Sequence, residues 1–241
     1  MRAFLIVFLS FSFLIGFSQN FVSPGIIAFH SGAFERTIQD MNKAFETSPD
    51  MNSDMRSKAY YYRGMSRLNL LKSGKSSAII GSDPYHAVYN DLTQAVALDT
   101  RWKESVDAEL SLIYSQLFTS AKQKYDRGVN AETEIEVNRI FGPAITQLEA
   151  VKKIRNTFEV NELLGKSHEA IGVMFDQLID DQNAQAKALS AYKQALEFYE
   201  YALEMNPGSI GCIRALAYIS YRLGDRERQS RYADMEANIG G

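Results

Sequence analysis

Four compact residues, Ala44, Ala95, Val151 and Ala202, recur 51, 56 and 51 positions apart, and each has a large apolar residue three places before it: Met41, Leu92, Leu148 and Tyr199. A three-residue step between a bulky and a small apolar side chain puts both on one face of a helix. The small residue suits a point where two helices cross, because a longer side chain there would hold the backbones apart. In two of the four segments a proline follows the alanine by five residues, at Pro49 and Pro207, whereas Thr100 and Asn156 occupy that place in the others. A unit of this kind cannot bury its apolar face alone and does so by stacking on its neighbours. The pattern is helical from Ile26 onward and nowhere alternates with period two over strand length. The chain is therefore expected to be all-α, an α-solenoid of about four stacked antiparallel helical hairpins.

The five prolines, at 24, 49, 84, 143 and 207, are read as lying near the ends of the apolar-periodic segments, since proline removes a hydrogen bond from a helix interior. Loops are expected at 48–53, 73–84, 126–133, 180–185 and 206–211. In the last complete repeat Leu189, Tyr192, Leu196, Tyr199 and Leu203 step by three and four into one apolar stripe. The polar segment 225–238 suits a terminal cap. None of the loops has the length or bias of an interdomain linker, so 19–241 is read as one domain.

At the N-terminus, Arg2 precedes an apolar run from Ala3 to Phe17 and then small residues, the layout of a secretory signal peptide. The run is shorter than the ~20 residues a helix needs to span a bilayer. Cleavage is expected after Ser18, leaving Gln19 first, with no membrane span retained. Residues 1–18 are thus assigned as a signal peptide and the mature protein to the periplasm or cell envelope.

Composition excludes several kinds of chemistry. With 26 basic and 29 acidic residues the net charge is −3, without the basic footprint of a nucleic-acid binder. Cys212 is the single cysteine, so neither an internal disulfide nor a cysteine zinc cage can form. It reads as a small buried thiol. His30, His86 and His168 are too far apart for a local metal motif, and His168 reads as a packed core residue. Gly74-Lys75-Ser76 resembles the tail of a phosphate loop, but Asn69 stands where the first glycine belongs and the context is helical. Asp180-Asp181 lacks the glycine and closing glutamate of a calcium loop. No nucleophile–base motif is visible, so no enzymatic activity, cofactor or metal is expected.

Ala195, Tyr199, Ala202 and Pro207 together resemble the second helix of the tetratricopeptide repeat (TPR). Tyr60 with Gly64, Leu164 with Gly165 and His168, and Leu216 with Ala217 are partial matches to its first helix. The spacing departs from the usual ~34 residues, so lengthened helices and insertions between first and second helices are expected, as at 73–86. The resemblance implies a superhelix whose concave face, lined by first helices, binds peptide segments. Carried over by register, that face comprises Lys58, Tyr61, Met65 and Asn69 around Gly64; Glu162, Lys166 and Glu169 around Gly165; and Arg214, Tyr218, Tyr221 and Arg222 around Ala217. Tyr61 and Met65 stand where relatives that grip a chain-terminal carboxylate carry basic and amide residues, which argues against that mode. The functional expectation is a non-catalytic protein-interaction scaffold with a protein or peptide partner. The alternative is a glycan or peptidoglycan-fragment binding accessory of an envelope uptake or secretion system, using exposed tyrosines.

Overall fold

The structure, a computed structural model, describes residues 21–75, 78–80, 83–131, 133–177 and 182–239. Among them are ten α-helices and no strand. The helices are α1 (Val22–His30), α2 (Phe34–Thr47), α3 (Ser53–Lys72), α4 (Pro84–Leu98), α5 (Lys103–Gly128), α6 (Glu134–Ile154), α7 (Phe158–Asp176), α8 (Gln182–Met205), α9 (Ile210–Arg222) and α10 (Arg226–Ile239). They pack in consecutive pairs, so the all-α hairpin expectation holds, with five pairs rather than four. The proposed signal segment lies outside the described residues. Among the described residues no helix is long and apolar enough to cross a membrane.

The chain forms two compact units divided between Ser111 and Leu112, inside α5. In the first unit, α1 packs on α2 and α3, and α3 on α2 and α4. In the second, α7 packs on α6 and α8, and α9 on α8 and α10. The second half of α5 joins α6 through Tyr125 on Phe141 and a hydrogen bond from Lys124 to Gln147 of 2.7 Å.

The crossing residues are where the repeat pattern puts them: Met41, Ala44, Leu92, Ala95, Leu148, Val151 and Ala202 are fully buried, and Tyr199 nearly so. The partner helices answer with glycine. A Cβ on Gly64 would stand 2.9 Å from Leu92 Cδ2, and one on Gly165 2.9 Å from the Tyr199 ring. Gly172 and Gly128, which the repeat pattern does not single out, sit equally close to the rings of Tyr192 and Phe141. One lock therefore recurs, a small residue on one helix under a large side chain of the next. Helix starts are set by side-chain caps from Asn52, Asp83, Thr133, Thr157, Ser209 and Asp225, each accepting from the backbone N–H three residues on. Such a cap contributes about 1 kcal/mol.

Two expectations fail. Pro143 lies inside α6 rather than near the end of a segment. It is tolerated because Gly142, Pro143 and Arg139, whose carbonyl the proline leaves without its helical partner, all lie on the solvent-exposed side of α6. Leu189 is 44% exposed, and Ala188, fully buried, takes the place assigned to it in the α8 stripe. At 60° or so from the centre of the stripe, Leu189 falls on its margin. The insertion between first and second helices is real at 73–83, but α5 and α6 are separated by only five residues, so their extra length is helical.

Candidate interaction site

α3 is buried along two flanks, by Ser57, Gly64 and Leu68 on one side and Ala59, Ser66 and Leu70 on the other. Between these flanks Lys58, Tyr61, Met65 and Asn69, all half-buried, form one stripe. Tyr61 stacks on Trp102 with ring centres 4.0 Å apart and planes 16° apart, and its hydroxyl meets the Ser105 hydroxyl at 3.0 Å. Asn69 donates to the Met65 carbonyl at 2.8 Å. Lys58 pairs with Asp54 at 2.7 Å, and Asp54 also binds Arg101, so its carboxyl is held below the ordinary range by the hydrogen bonds from Lys58 and Arg101.

The aromatic surface extends beyond the stripe. Tyr62 contacts Tyr61 edge-on at 5.3 Å, Phe29 at 5.1 Å and His30 at 5.8 Å. Trp102, held by a 2.6 Å hydrogen bond from its indole N–H to Ser57, carries the Arg101 guanidinium over its face at 5.1 Å. A continuous run of five rings, from Phe29 and His30 on α1 through Tyr62 and Tyr61 on α3 to Trp102 before α5, thus lies along the first helices of this unit. His30 is exposed and the other four are half-buried. Register reasoning found only Tyr61 of the five. Trp102 was missed because the third first helix carries no glycine in the matching register, although it is the only tryptophan in the chain.

The other candidate residues are more engaged with the fold. Glu162 and Lys166 pair at 2.8 Å. Glu169 accepts a 2.6 Å hydrogen bond from Tyr199, and burial pushes its carboxyl above the ordinary range. Lys166 and Glu169 also edge a cavity of about 280 Å³ lined by Tyr125, Val137, Phe141 and Val173. On α9, Arg222 pairs with Asp176 at 2.5 Å, Asp176 accepts from Tyr192, and the Tyr192 and Tyr218 hydroxyls are 3.5 Å apart. Arg222 and Tyr218 therefore tie α9 to α7 and α8. Arg214 pairs with Glu236 at 2.6 Å yet stays largely exposed, as does Tyr221.

The remaining motifs resolve structurally. Gly74 adopts a left-handed φ of 70° and closes α3, with Lys75 N–H bonding the Leu70 carbonyl and Gly74 N–H the Leu71 carbonyl. Cys212 is fully buried, and burial raises its thiol above the ordinary range. His168 is buried and stacked on Phe198 at 5.5 Å, and burial brings its imidazole down to about 4. Asp180-Asp181 lies outside the described residues. Among the described residues no three His, Cys, Asp or Glu side chains gather as metal ligands.

No protein-family model and no curated protein matches this chain. Among solved structures, the crystal structure of MamA aligns with 90% of this chain and 94% of its own, at 16% identity and a TM-score of 0.29.

Proposed function

We propose that this protein is a non-catalytic interaction scaffold built of TPR-like hairpins, which docks a segment of another protein on the first-helix face of α1, α3 and the start of α5. The observation that carries this reading is the five-ring run from Phe29 to Trp102. Tyrosine and tryptophan supply large contact area at little entropic cost, and they are enriched among residues that dominate binding energy. Lys58, Asp54 and Arg101 along one margin add polar contacts of both signs, the arrangement of an apolar centre with a polar rim. The N-terminal pattern of Arg2 and residues 3–17 supports export to the periplasm or envelope, where the partner is sought. N-terminal sequencing of the exported protein should begin at Gln19, and a start at Met1 would reject the cleavage.

The parallel stacking of Tyr61 on Trp102 also favours a second reading, a platform for sugar rings of a glycan or peptidoglycan fragment. Cross-linking pull-down from intact cells, comparing wild type with Tyr61→Ala and with Tyr61→Ala, Arg214→Ala, decides between them. One envelope protein recovered with the wild type and lost on Tyr61→Ala supports the scaffold. Recovery unchanged by both variants rejects this face. Thermal stabilisation by saccharides that vanishes in Tyr61→Ala transfers the site to the second reading.

A further inference from the structure

The cavity of about 280 Å³ belongs wholly to the second unit, where the end of α5, the start of α6 and one side of α7 bound it. From α7 come Lys166, Glu169, Ala170 and Val173, whose steps of three and four put them on one face. From α5 and α6 come Tyr125 and Phe141, with ring centres 6.0 Å apart and edge to face. The other lining residues are apolar or glycine except for Gln177, so Lys166 and Glu169 supply the only charges.

Those two charges are not equivalent. Lys166 is already paired with Glu162, one turn back on α7, at 2.8 Å. Glu169 enters no ion pair among the described residues. Its Oε2 accepts a 2.6 Å hydrogen bond from buried Tyr199 on α8, which anchors the carboxylate from the core side. Its Oε1 has no hydrogen-bond partner among the described residues, and unlike the orphaned Asn161 Oδ1 it keeps accessible surface. A carboxylate held in this way is short of positive charge. Burial raises its pKa against the opposing pull of the Tyr199 hydrogen bond and the Lys166 charge. The field it sets up reaches Tyr125, whose hydroxyl is pushed up by burial and then by the charges of Glu169, Asp126 and Glu162.

Apolar walls around one anchored and accessible carboxylate suit a ligand with an apolar stem and a cationic end. We infer that this cavity binds a primary alkylammonium group, its N–H donating to Glu169 Oε1 and its alkyl stem packing against Tyr125, Phe141 and Val173. An anion fits poorly, because the single lining cation is engaged by Glu162 while the Glu169 charge would repel it. The cavity is slightly smaller than the roughly 300–1,000 Å³ of pockets for drug-sized ligands, so it takes a small amine or a single lysine side chain.

The test is titration of the full chain with n-butylammonium chloride at neutral pH and constant ionic strength, following the Val137 and Val173 methyl resonances by NMR. Controls are n-butanol, which has the stem without the charge, and sodium chloride. The inference predicts a saturable shift of both resonances with butylammonium, about tenfold tighter than with butanol, the worth of one charge-assisted hydrogen bond. Glu169→Gln, which keeps an acceptor for Tyr199 and removes the charge, should weaken butylammonium by about the same factor and leave butanol unchanged. If Glu169→Gln fails to fold by circular dichroism, Val173→Phe, which fills the cavity, should abolish binding of both, read at Val137. Acetyl-lysine methylamide binding more tightly than butylammonium would assign the group to a lysine of a peptide; weaker binding would assign it to a free amine. No shift, equal affinity for butylammonium and butanol, or binding unchanged in a folded Glu169→Gln overturns the site.

Discussion

The hairpins α3–α4 and α7–α8 are closed by the same device and put their aromatic residues to opposite uses. In both, a glycine on the first helix lies under a large side chain of the second, Gly64 under Leu92 and Gly165 under Tyr199. In α7–α8 the aromatics at the helix crossings are interior. Tyr192 and Tyr199 fill the core, and each hydroxyl ends on a carboxylate, Asp176 or Glu169, at 2.5 or 2.6 Å. In α3–α4 an aliphatic Leu92 fills the crossing, and the aromatics Tyr61 and Tyr62 remain on the surface with Trp102. The difference teaches that tyrosine content alone does not mark a binding face. What distinguishes the two is whether packed elements already bury the ring, as they do at Tyr192 and Tyr199 and do not at half-buried Tyr61 and Tyr62.

That contrast can be broken by substitution. Tyr199→Ala should cost about 3–5 kcal/mol, the range for large-to-small change at a filled core position, read as a lowered midpoint of chemical denaturation. Next in size is a pH effect confined to the second unit. His168 is neutral when folded, with its pKa at about 4 against 6.5 for an ordinary imidazole. Between these values the unfolded chain binds more protons than the folded one. Stability is therefore full above pH 6.5 and falls as the pH drops toward 4, by about 1.4 kcal/mol per unit. His168→Phe should flatten that slope in denaturation curves taken from pH 7 to 4.

Smaller effects sharpen the comparison at the crossings. Gly165→Ala drives a methyl against a rigid ring and should cost about 1–3 kcal/mol. Gly64→Ala should cost a similar amount, because the methyl meets Asp91 Cβ and Leu92 Cγ at 3.0 Å as well as the Leu92 methyl, and a Cβ cannot swing aside. Gly142→Ala, on the exposed side of α6, gains helix propensity but sets a Cβ before Pro143, where helical backbone is disfavoured, so it should change stability by no more than about 1 kcal/mol. Least affected is Tyr61→Ala, which loses one ring stack and one exposed hydrogen bond, about 1 kcal/mol or less. A large loss at Tyr61 would make that face structural and remove the distinction.

The crossings were legible because each is written locally, as a bulky and a small residue three apart on one helix, and Met41–Ala44 through Tyr199–Ala202 all proved buried. Pro143 misled because its consequence depends on which side of α6 meets solvent. The cluster in which buried Asp91 on α4 accepts from both Arg63 and Arg67 on α3 was invisible because its members come from two helices joined by an irregular insertion. Of the aromatic face, Tyr61 could be placed from the Gly64 register, while Phe29, His30 and Trp102 join it only through tertiary packing.

The most direct test of the account is site-resolved photo-cross-linking in living cells, with a benzophenone amino acid at Met65 on the aromatic face or at exposed Gln39 on α2 of the same unit. The account predicts a discrete protein adduct at Met65, none at Gln39, and loss of the Met65 adduct on Tyr61→Ala with helicity unchanged. The same adducts at both positions, or a Met65 adduct that survives Tyr61→Ala, would contradict it.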